Sequence, residues 1–297
     1  WGADGDAFLQ THLHGSRRPL VVLGPMNPSD PLYAAVAGWR SQRGGGDQVV
    51  APVLADPGAP GWPVGDPPPL VAGAGEPSIP PPDLLIRVGD TPYTGPMLSA
   101  LEAWCDVPTL LVHSRPTWQD PFSARSQRIT TRSGATLHAI DKAVGALDRE
   151  WVRKVESSSE HAKRQVQRIT AQWRQEAGPL TDLQALHELW RRAPSDWPVF
   201  SGNSLLPRDI AWLGPALPPR RVLTNRGVAG IDGILSTAAG ASLALDTGMI
   251  VFTGDLGFLH DSNALLLGRH LRHPVLVGLI DNGGGSIFDM LPVAASW

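Results

Sequence analysis

The part of the chain that decides the fold reads GMIVFTGDL at residues 248–256, where an apolar run leads directly into a Gly-Asp turn. A second apolar run, at residues 274–280, leads into DNGGG at residues 281–285. Each run has the length and composition of a buried parallel strand, and the segment between them is long enough for one crossover helix. The sequence therefore predicts a βαβ unit whose two strand ends lie side by side.

Oxygen-bearing side chains follow both predicted strands. Asp255 supplies a carboxylate, and Asn282 supplies an amide oxygen about one strand spacing away. Mg²⁺ prefers such oxygen ligands and usually completes its shell with phosphate and water. The glycines after Asn282 let backbone groups approach a phosphate closely. Either half alone is more often an ordinary turn, but the pair predicts a Mg²⁺-diphosphate site.

Composition limits the classes of protein to consider. A chain of 297 residues with 42% hydrophobic and 18% charged residues fits a globular protein of about two domains. A formal net charge of −3 gives no reason to propose a nucleic acid partner. No apolar run approaches the roughly 20 residues of a membrane span. The single cysteine, Cys105, fits a reducing compartment, so we expect a cytoplasmic protein without an integral membrane segment.

Strand and helix patterns alternate in the first 178 residues, which predicts a Rossmann-like parallel sheet. Proline and glycine dominate residues 57–82, so this segment is expected to be a loop without regular elements. One long helix is predicted over residues 142–177, with the serines at 157–159 interrupting or bending it. The predicted strands cover residues 18–24, 48–54, 84–88 and 109–113, and the other helices cover 31–40 and 95–104.

Neither a Gly-x-Gly-x-x-Gly fingerprint nor a Walker lysine motif occurs in this first part. Its expected role is therefore structural. Gly178-Pro179 is the predicted boundary between a first domain, residues 1–178, and a second, residues 179–297.

The second part is predicted to bring four polar strand ends to one crevice. Arg208 and Arg226 are the natural carboxylate binders there, because a guanidinium group forms paired hydrogen bonds with a carboxylate. The predicted helices cover residues 181–192 and 236–244, and the additional strands cover 197–201 and 221–224. The four strand ends carry Asn203-Ser204, Asn225-Arg226, Asp255 and Asn282.

Four motifs together resemble the thiamine-diphosphate enzyme family, and within it the MenD branch, the 2-succinyl-5-enolpyruvyl-6-hydroxy-3-cyclohexene-1-carboxylate synthases of menaquinone biosynthesis. Leu256 stands where most members of the wider family have glycine or another small residue. The strong match covers roughly the last third of the chain, and the first 178 residues match the central domain of that family weakly. The motifs are GNSLLPRD (202–209), NRGVAGIDG (225–233), GDLGFLHDSN (254–263) and NGGGSIF (282–288).

The resemblance implies two doubly wound α/β domains, a central Rossmann-like one and a truncated diphosphate-binding one. It implies thiamine diphosphate and Mg²⁺ or Mn²⁺ as cofactors, with Ile231 holding the cofactor in a bent shape. The metal ligands would be Asp255, Asn282 and the carbonyl group of Gly284. The cofactor-binding set would be Gly230, Ile231, Gly254, Asp255, Leu256, Asn282, Gly284, Gly285, Ser286 and Ile287. Ser204, Arg208 and Arg226 would bind substrate carboxylates, while Ile287 and Phe288 would wall the reacting centre.

The activity implied is that of a transferase, which decarboxylates 2-oxoglutarate and adds the resulting succinyl carbanion to isochorismate. The family works as a homodimer or homotetramer, with the site shared between subunits. The glutamate that activates its cofactor lies in an N-terminal pyrimidine-binding domain without a counterpart in this sequence, and the end of the diphosphate-binding domain is also missing. We therefore expect the chain to be a fragment that is inactive alone.

Other functions remain open at this point. An acetolactate synthase or a 2-oxo acid decarboxylase would satisfy the Gly-Asp and Asn pattern equally well, although Arg208 and Arg226 favour a dicarboxylate or two acidic substrates. A non-catalytic α/β subunit that serves only in assembly is an alternative from a different class. A Mg²⁺-dependent phosphotransferase is disfavoured, because no phosphate-binding lysine loop is present.

Overall fold

In a computed structural model of the chain, the structure describes residues 9–43, 49–62, 71–72, 76–77, 79–116, 120–122, 125–173, 178–227 and 229–290. Contacts divide the chain into two compact units, Trp1–Gln165 and Val166–Trp297. This division falls before Gly178-Pro179, and the predicted domains 1–178 and 179–297 stay predictions. Of the helices in these described stretches, none is both long and apolar enough to cross a membrane.

The first unit is built on a five-stranded parallel sheet, in the order β2-β1-β5-β6-β7. Three of its strands are buried along their whole length, as expected for apolar runs covered on both faces. The strands are β1 (Pro19–Leu23), β2 (Val53–Ala55), β5 (Leu84–Val88), β6 (Thr109–His113) and β7 (Ser126–Thr130). The prediction of a parallel α/β sheet is confirmed, but β7 was not predicted.

Two short strands lie inside the proline-rich segment. β3 (Val71–Ala72) and β4 (Glu76–Pro77) pair in antiparallel fashion. The prediction that residues 57–82 hold no regular element is therefore wrong at this point. The pair has only two residues in each strand. Pro77 is tolerated because it ends β4, where the backbone donor that proline lacks is not needed to continue the pairing.

Among its described residues, the first unit contains three further α-helices, and the starts of two of them are capped by side chains. They are α1 (Pro31–Gln42), α2 (Gly95–Ala103) and α3 (Gly134–Ala143). The side chain of Asp30 accepts a hydrogen bond from the backbone of Leu32 at the start of α1, and Ser133 caps α3 in the same way.

The long helix differs from its prediction. α4 spans Arg149–Trp173, and residues 142–148 contain the end of α3 and a connection. Asp148 sets the new start, because its carboxylate accepts hydrogen bonds from the backbone of Glu150 and Trp151. The serines do not interrupt the helix, which runs through residues 157–159 without a break, and the hydroxyl of Ser157 donates to the Lys154 carbonyl within it. The predicted extension over residues 174–177 lies outside the described residues.

The second unit has a four-stranded parallel sheet in the order β11-β10-β8-β9. Its strands are β8 (Val199–Ser201), β9 (Val222–Thr224), β10 (Met249–Gly254) and β11 (Val275–Ile280). Its helices are α5 (Asp182–Arg192), α6 (Leu206–Leu213), α7 (Ile234–Leu245) and α8 (Asp255–His260). Short 3₁₀ segments follow at Gly214–Ala216, Ser262–His270 and Ser286–Met290. All four predicted strands are confirmed, whereas α6 was not predicted.

Helices cover both faces of this second sheet. On one face, Phe200 and Val251 pack in a common core with Leu235 of α7. On the other, the ring of Trp190 from α5 stacks on Phe252 with 6.0 Å between centroids. Gly278 permits this contact, because a Cβ atom there would lie 2.8 Å from the Phe252 ring. The second unit is therefore doubly wound, as predicted.

Arg220, just before β9, ties that strand to the end of α5. Its buried guanidinium donates hydrogen bonds to four backbone carbonyl groups. These carbonyls belong to Trp190, Ala193, Pro194 and Trp197. Burial lowers the pKa of this arginine, although nearby Asp196 acts in the opposite direction.

Candidate functional site

The four strand ends that were predicted to converge do line one cavity. Because β11, β10, β8 and β9 are neighbours in that order, the residues that follow them meet at one edge of the sheet. The cavity measures about 340 Å³ and is lined from all four strand-end loops. This is a size typical of sites for small molecules.

Most of the predicted site residues line this cavity. They are Ser204, Arg208, Arg226, Ile231, Gly254, Asp255, Leu256, Asn282, Gly285, Ser286, Ile287 and Phe288. Gly230 and Gly284 do not line it, although each is the chain neighbour of a residue that does. The structure thus brings the predicted set together, while the role of each residue stays a prediction.

Oxygen ligands suited to a hard cation lie at the β10–β11 side of the cavity. Asp255 is the first residue of α8, and its Oδ1 accepts a hydrogen bond of 2.7 Å from the backbone of Leu256. Asn282 lies in the loop after β11. Across the described part of the chain, no three or more His, Cys, Asp or Glu side chains are grouped so as to hold a metal. The oxygens that these two residues and the loop backbone offer, together with ligand phosphate, are of the type that Mg²⁺ prefers.

The glycine loop after Asn282 has a backbone that other residues rarely adopt. Gly283, Gly284 and Gly285 have φ angles of 83°, 80° and 71°. A side chain is strained at such angles, so glycine is favoured here by backbone conformation rather than by lack of space. The side chain of Leu256 lies against this loop, 3.5 Å from where a Gly284 Cβ would be. Leucine at position 256 is therefore accommodated by contact with the loop.

Cationic side chains lie at the β8–β9 side. Ser204 adopts a left-handed backbone with φ of 70°, which is uncommon for a residue with a side chain. Its carbonyl accepts a hydrogen bond of 2.5 Å from Nη1 of Arg208, which lies in the first turn of α6. This bond helps to fix the guanidinium of Arg208. Arg226 follows β9 and lines the same cavity.

Asn203 connects the two loops on this side. It is only 5% exposed, and its Nδ2 donates hydrogen bonds to the side chain of Asn225 at 3.0 Å and to the carbonyl of Gly230 at 2.6 Å. The strand-end loops that carry Ser204 and Arg226 are therefore held together by a buried amide. Through its carbonyl, Gly230 is thus bonded to a residue that lines the cavity, although it does not line the cavity itself.

Two acidic residues of the cavity were missed in the sequence. Asp182 and Asp209 both line it. Burial, and secondarily the charge of Asp182, raises the pKa of Asp209 to about 7, against the opposing effect of Arg208. Asp209 could have been noticed as the neighbour of Arg208 in the GNSLLPRD motif. Asp182 gave no signal, because an acidic residue in the first turn of a helix has an ordinary explanation.

Fold and site together define a class. Two parallel sheets with interleaved helices form an α/β fold that is consistent with the domains of thiamine-diphosphate enzymes. In the second sheet, Gly-Asp and Asn-Gly-Gly-Gly follow two neighbouring strands, which is the arrangement that the sequence predicted.

The particular relatives are 2-succinyl-5-enolpyruvyl-6-hydroxy-3-cyclohexene-1-carboxylate synthases. The chain is 29% identical over 92% of its length to the one from Synechococcus sp. (strain RCC307), covering 49% of that protein. It is 31% identical over 72% of its length to the Bacillus pumilus synthase, covering 36% of it. Over 41% of the chain, identity to the Mannheimia succiniciproducens synthase reaches 40%, covering 22% of that protein.

The resemblance predicted from the sequence is thus confirmed. The chain spans about half the length of the curated relatives that it matches over most of its own length. No family model matches the chain.

Proposed function

We propose that the full-length protein is a thiamine-diphosphate- and Mg²⁺-dependent synthase. It would decarboxylate 2-oxoglutarate and join the remaining four-carbon unit to isochorismate, in menaquinone biosynthesis. One observation carries the proposal, namely that oxygen ligands for a cation and two arginines for carboxylates line the same cavity. The similarity to synthases of this name, over most of the chain, supports it. A cytoplasmic homodimer or homotetramer is part of the same proposal.

Asp255, Asn282 and the carbonyl of Gly284 would hold the metal, and the glycine loop would accept the diphosphate. Gly254 and Ser286 would complete this end of the site. When bound, the cofactor supplies an electron sink that stabilises the carbanion left after loss of CO₂. Mn²⁺ would substitute for Mg²⁺, because it accepts the same oxygen ligands.

The cationic side would orient the substrates. Arg208 and Arg226 would bind carboxylate groups through paired hydrogen bonds, and the hydroxyl of Ser204 would add a further donor. Two acidic substrates account for two arginines in a single cavity. Asn203 would keep both arginine-bearing loops at a fixed separation through its two hydrogen bonds.

Apolar side chains would wall the remaining part of the cavity. Ile231, Leu256, Ile287 and Phe288 all line it. Ile231 is 36% exposed and Phe288 65% exposed, which is unusual for side chains that gain free energy from burial. A bound cofactor and substrate would cover them, and would exclude water from the reacting centre.

The test is a turnover assay on the full-length protein with thiamine diphosphate and Mg²⁺. Consumption of 2-oxoglutarate is followed with and without isochorismate, in the wild type and in Asp255→Ala. Isochorismate-dependent turnover that Asp255→Ala abolishes is the expected result. The exposed acid Glu150 provides a control, because Glu150→Ala removes a carboxylate that lies outside the cavity.

Two outcomes would point elsewhere. Turnover of pyruvate in place of 2-oxoglutarate would keep the cofactor site but assign the protein to the acetolactate synthase or decarboxylase class. Absence of both turnover and cofactor binding in the wild type would overturn the enzyme proposal and favour a structural subunit.

A further inference from the structure

Asp182 contacts the amide group of Asn282, although 100 positions separate the two residues. The Nδ2 atom of Asn282 donates a hydrogen bond of 2.8 Å to Oδ2 of Asp182. Both residues line the cavity. Asp182 is the first residue of α5, so its carboxylate is carried by an element that packs on the sheet through Trp190.

The contact fixes which way the amide group of Asn282 faces. An ionised carboxylate only accepts hydrogen bonds, so it selects the nitrogen branch of the amide and turns the oxygen branch away. In the part of the chain that the structure describes, no hydrogen bond is made to Oδ1 of Asn282. This oxygen is therefore available to a ligand.

The capping hydrogen bonds at the start of α5 do not use the Asp182 side chain. Thr181 and Gln184 form a complete capping box, in which each side chain bonds to the backbone of the other residue. The carboxylate of Asp182 is thus left to act on the cavity. There it accepts from Asn282, and its charge helps to raise the pKa of Asp209.

We propose that Asp182 is a positioning residue that holds the Asn282 amide with its oxygen presented to a divalent cation. The inference rests on the proposed function, because it uses the metal site of that proposal. Outer groups that orient metal ligands typically change metal affinity by about 10–100-fold when they are removed. Asp182 would act in this way without touching the metal.

The test measures Mn²⁺ affinity by electron paramagnetic resonance, in the full-length protein with thiamine diphosphate present. Asp182→Ala is expected to weaken Mn²⁺ binding about 10-fold or more. Asp182→Asn is expected to weaken Mn²⁺ binding less than Asp182→Ala, because its side-chain oxygen still accepts from Asn282 although its own nitrogen can now donate to Oδ1. Glu188→Ala is the matched control, since Glu188 is an acid of the same helix that does not line the cavity.

A fourth variant tests whether Asp182 acts on the metal through Asn282. Asn282→Ala removes the ligand itself, and adding Asp182→Ala to it should weaken Mn²⁺ binding no further, because nothing remains to be positioned. Circular dichroism and thermal melting of each variant establish that it is folded before its affinity is compared.

The outcomes separate this inference from the proposed function. Wild-type protein that binds no Mn²⁺ would overturn the metal site and the inference together. Wild-type binding that Asp182→Ala leaves unchanged would overturn the inference alone. Equal weakening by Asp182→Asn and Asp182→Ala would also overturn it, because the effect would then come from charge rather than from the hydrogen bond.

Discussion

The side-chain nitrogen of Asn203 lies 2.6 Å from the carbonyl oxygen of Gly230, so a buried amide at the end of β8 holds the loop that precedes α7. The same nitrogen lies 3.0 Å from the side-chain oxygen of Asn225. A reversed amide would place its oxygen against the Gly230 carbonyl, which can only accept. The orientation of Asn203 is therefore determined by its surroundings.

Asn203→Ala should destabilise the second unit. The change removes two buried hydrogen bonds and leaves the Gly230 carbonyl without this donor, a loss of about 2 kcal/mol in the free energy of unfolding. Urea denaturation followed by tryptophan fluorescence measures it. Asn263→Ala, at an exposed asparagine, is the control and should change the free energy by less than about 0.5 kcal/mol. Equal stability of the two variants would contradict the bridging role.

Asp209 should make stability depend on pH. Its folded pKa of about 7 lies above the ordinary value of 3.8, so the folded state binds the proton more tightly than the unfolded state. The stabilisation is complete below about pH 4 and is lost as the pH rises to about 7, by up to about 4 kcal/mol. The side chain in Asp209→Asn cannot ionise, so this variant should lose none of that stabilisation as the pH rises.

Denaturation curves of wild type and Asp209→Asn between pH 4 and pH 8 provide the comparison. The variant should gain stability over the wild type as the pH rises, and the gap should become constant above about pH 7. A gap that does not vary with pH would show that this carboxyl group titrates normally.

Replacing Arg220 should strongly destabilise the folded protein. Arg220→Met keeps much of the side-chain volume but removes all four hydrogen bonds to backbone carbonyls, so a loss of at least about 3 kcal/mol is expected. Arg220→Lys should be only partly tolerated, because an ammonium group has three donors and no planar fork. The control is Arg192→Met, at an exposed arginine that ends α5, the helix whose end Arg220 binds. Thermal melting ranks the three variants.

Gly284→Ala should strain the loop after β11. With φ of 80°, an alanine there costs about 1–2 kcal/mol or forces the loop into another shape, which should also weaken Mn²⁺ binding. Gly240→Ala is the matched control, because Gly240 lies within α7 and a Cβ there would meet no atom within 4 Å. That control should stabilise the protein by about 0.5–1 kcal/mol. Unchanged metal affinity in Gly284→Ala would show that the loop shape is not needed.

Much of the fold could be predicted because its central strands are continuous apolar runs. β6 was predicted with the correct bounds, since all five of its residues are buried. β7 was missed because only Ile129 of its five residues is buried, as befits a strand at the edge of a sheet. The start of α4 was misjudged because Asp148 caps a helix inside what reads as one amphipathic segment. An edge strand is set by the neighbouring strand that it pairs with, and a helix start is set by a capping side chain. Apolar periodicity records neither of these.

The residues of the candidate site could be predicted where a charged or polar side chain follows an apolar strand. Asp255 and Asn282 each come shortly after an apolar run, and Arg226 is the second residue after β9, so all three could be noticed. Asp182 could not, because its contact with Asn282 exists only once β11 and α5 have folded together. Long-range contacts of this kind are a product of topology, and single-sequence patterns carry little information about them.

The strand order has a consequence for how such a site can change over evolutionary time. Arg208 and Arg226 come after β8 and β9, while Asp255 and Asn282 come after β10 and β11. Apart from Asp182, the residues proposed to bind carboxylates and the residues proposed to bind the cation therefore lie in separate, contiguous pieces of sequence. If the proposed function holds, substitutions in the earlier piece would alter which acids are accepted without changing the residues of the later piece. A lineage could therefore diversify its substrates while inheriting its cofactor chemistry intact. The boundary between the two pieces lies between β9 and β10 along the chain, and between β8 and β10 in the sheet.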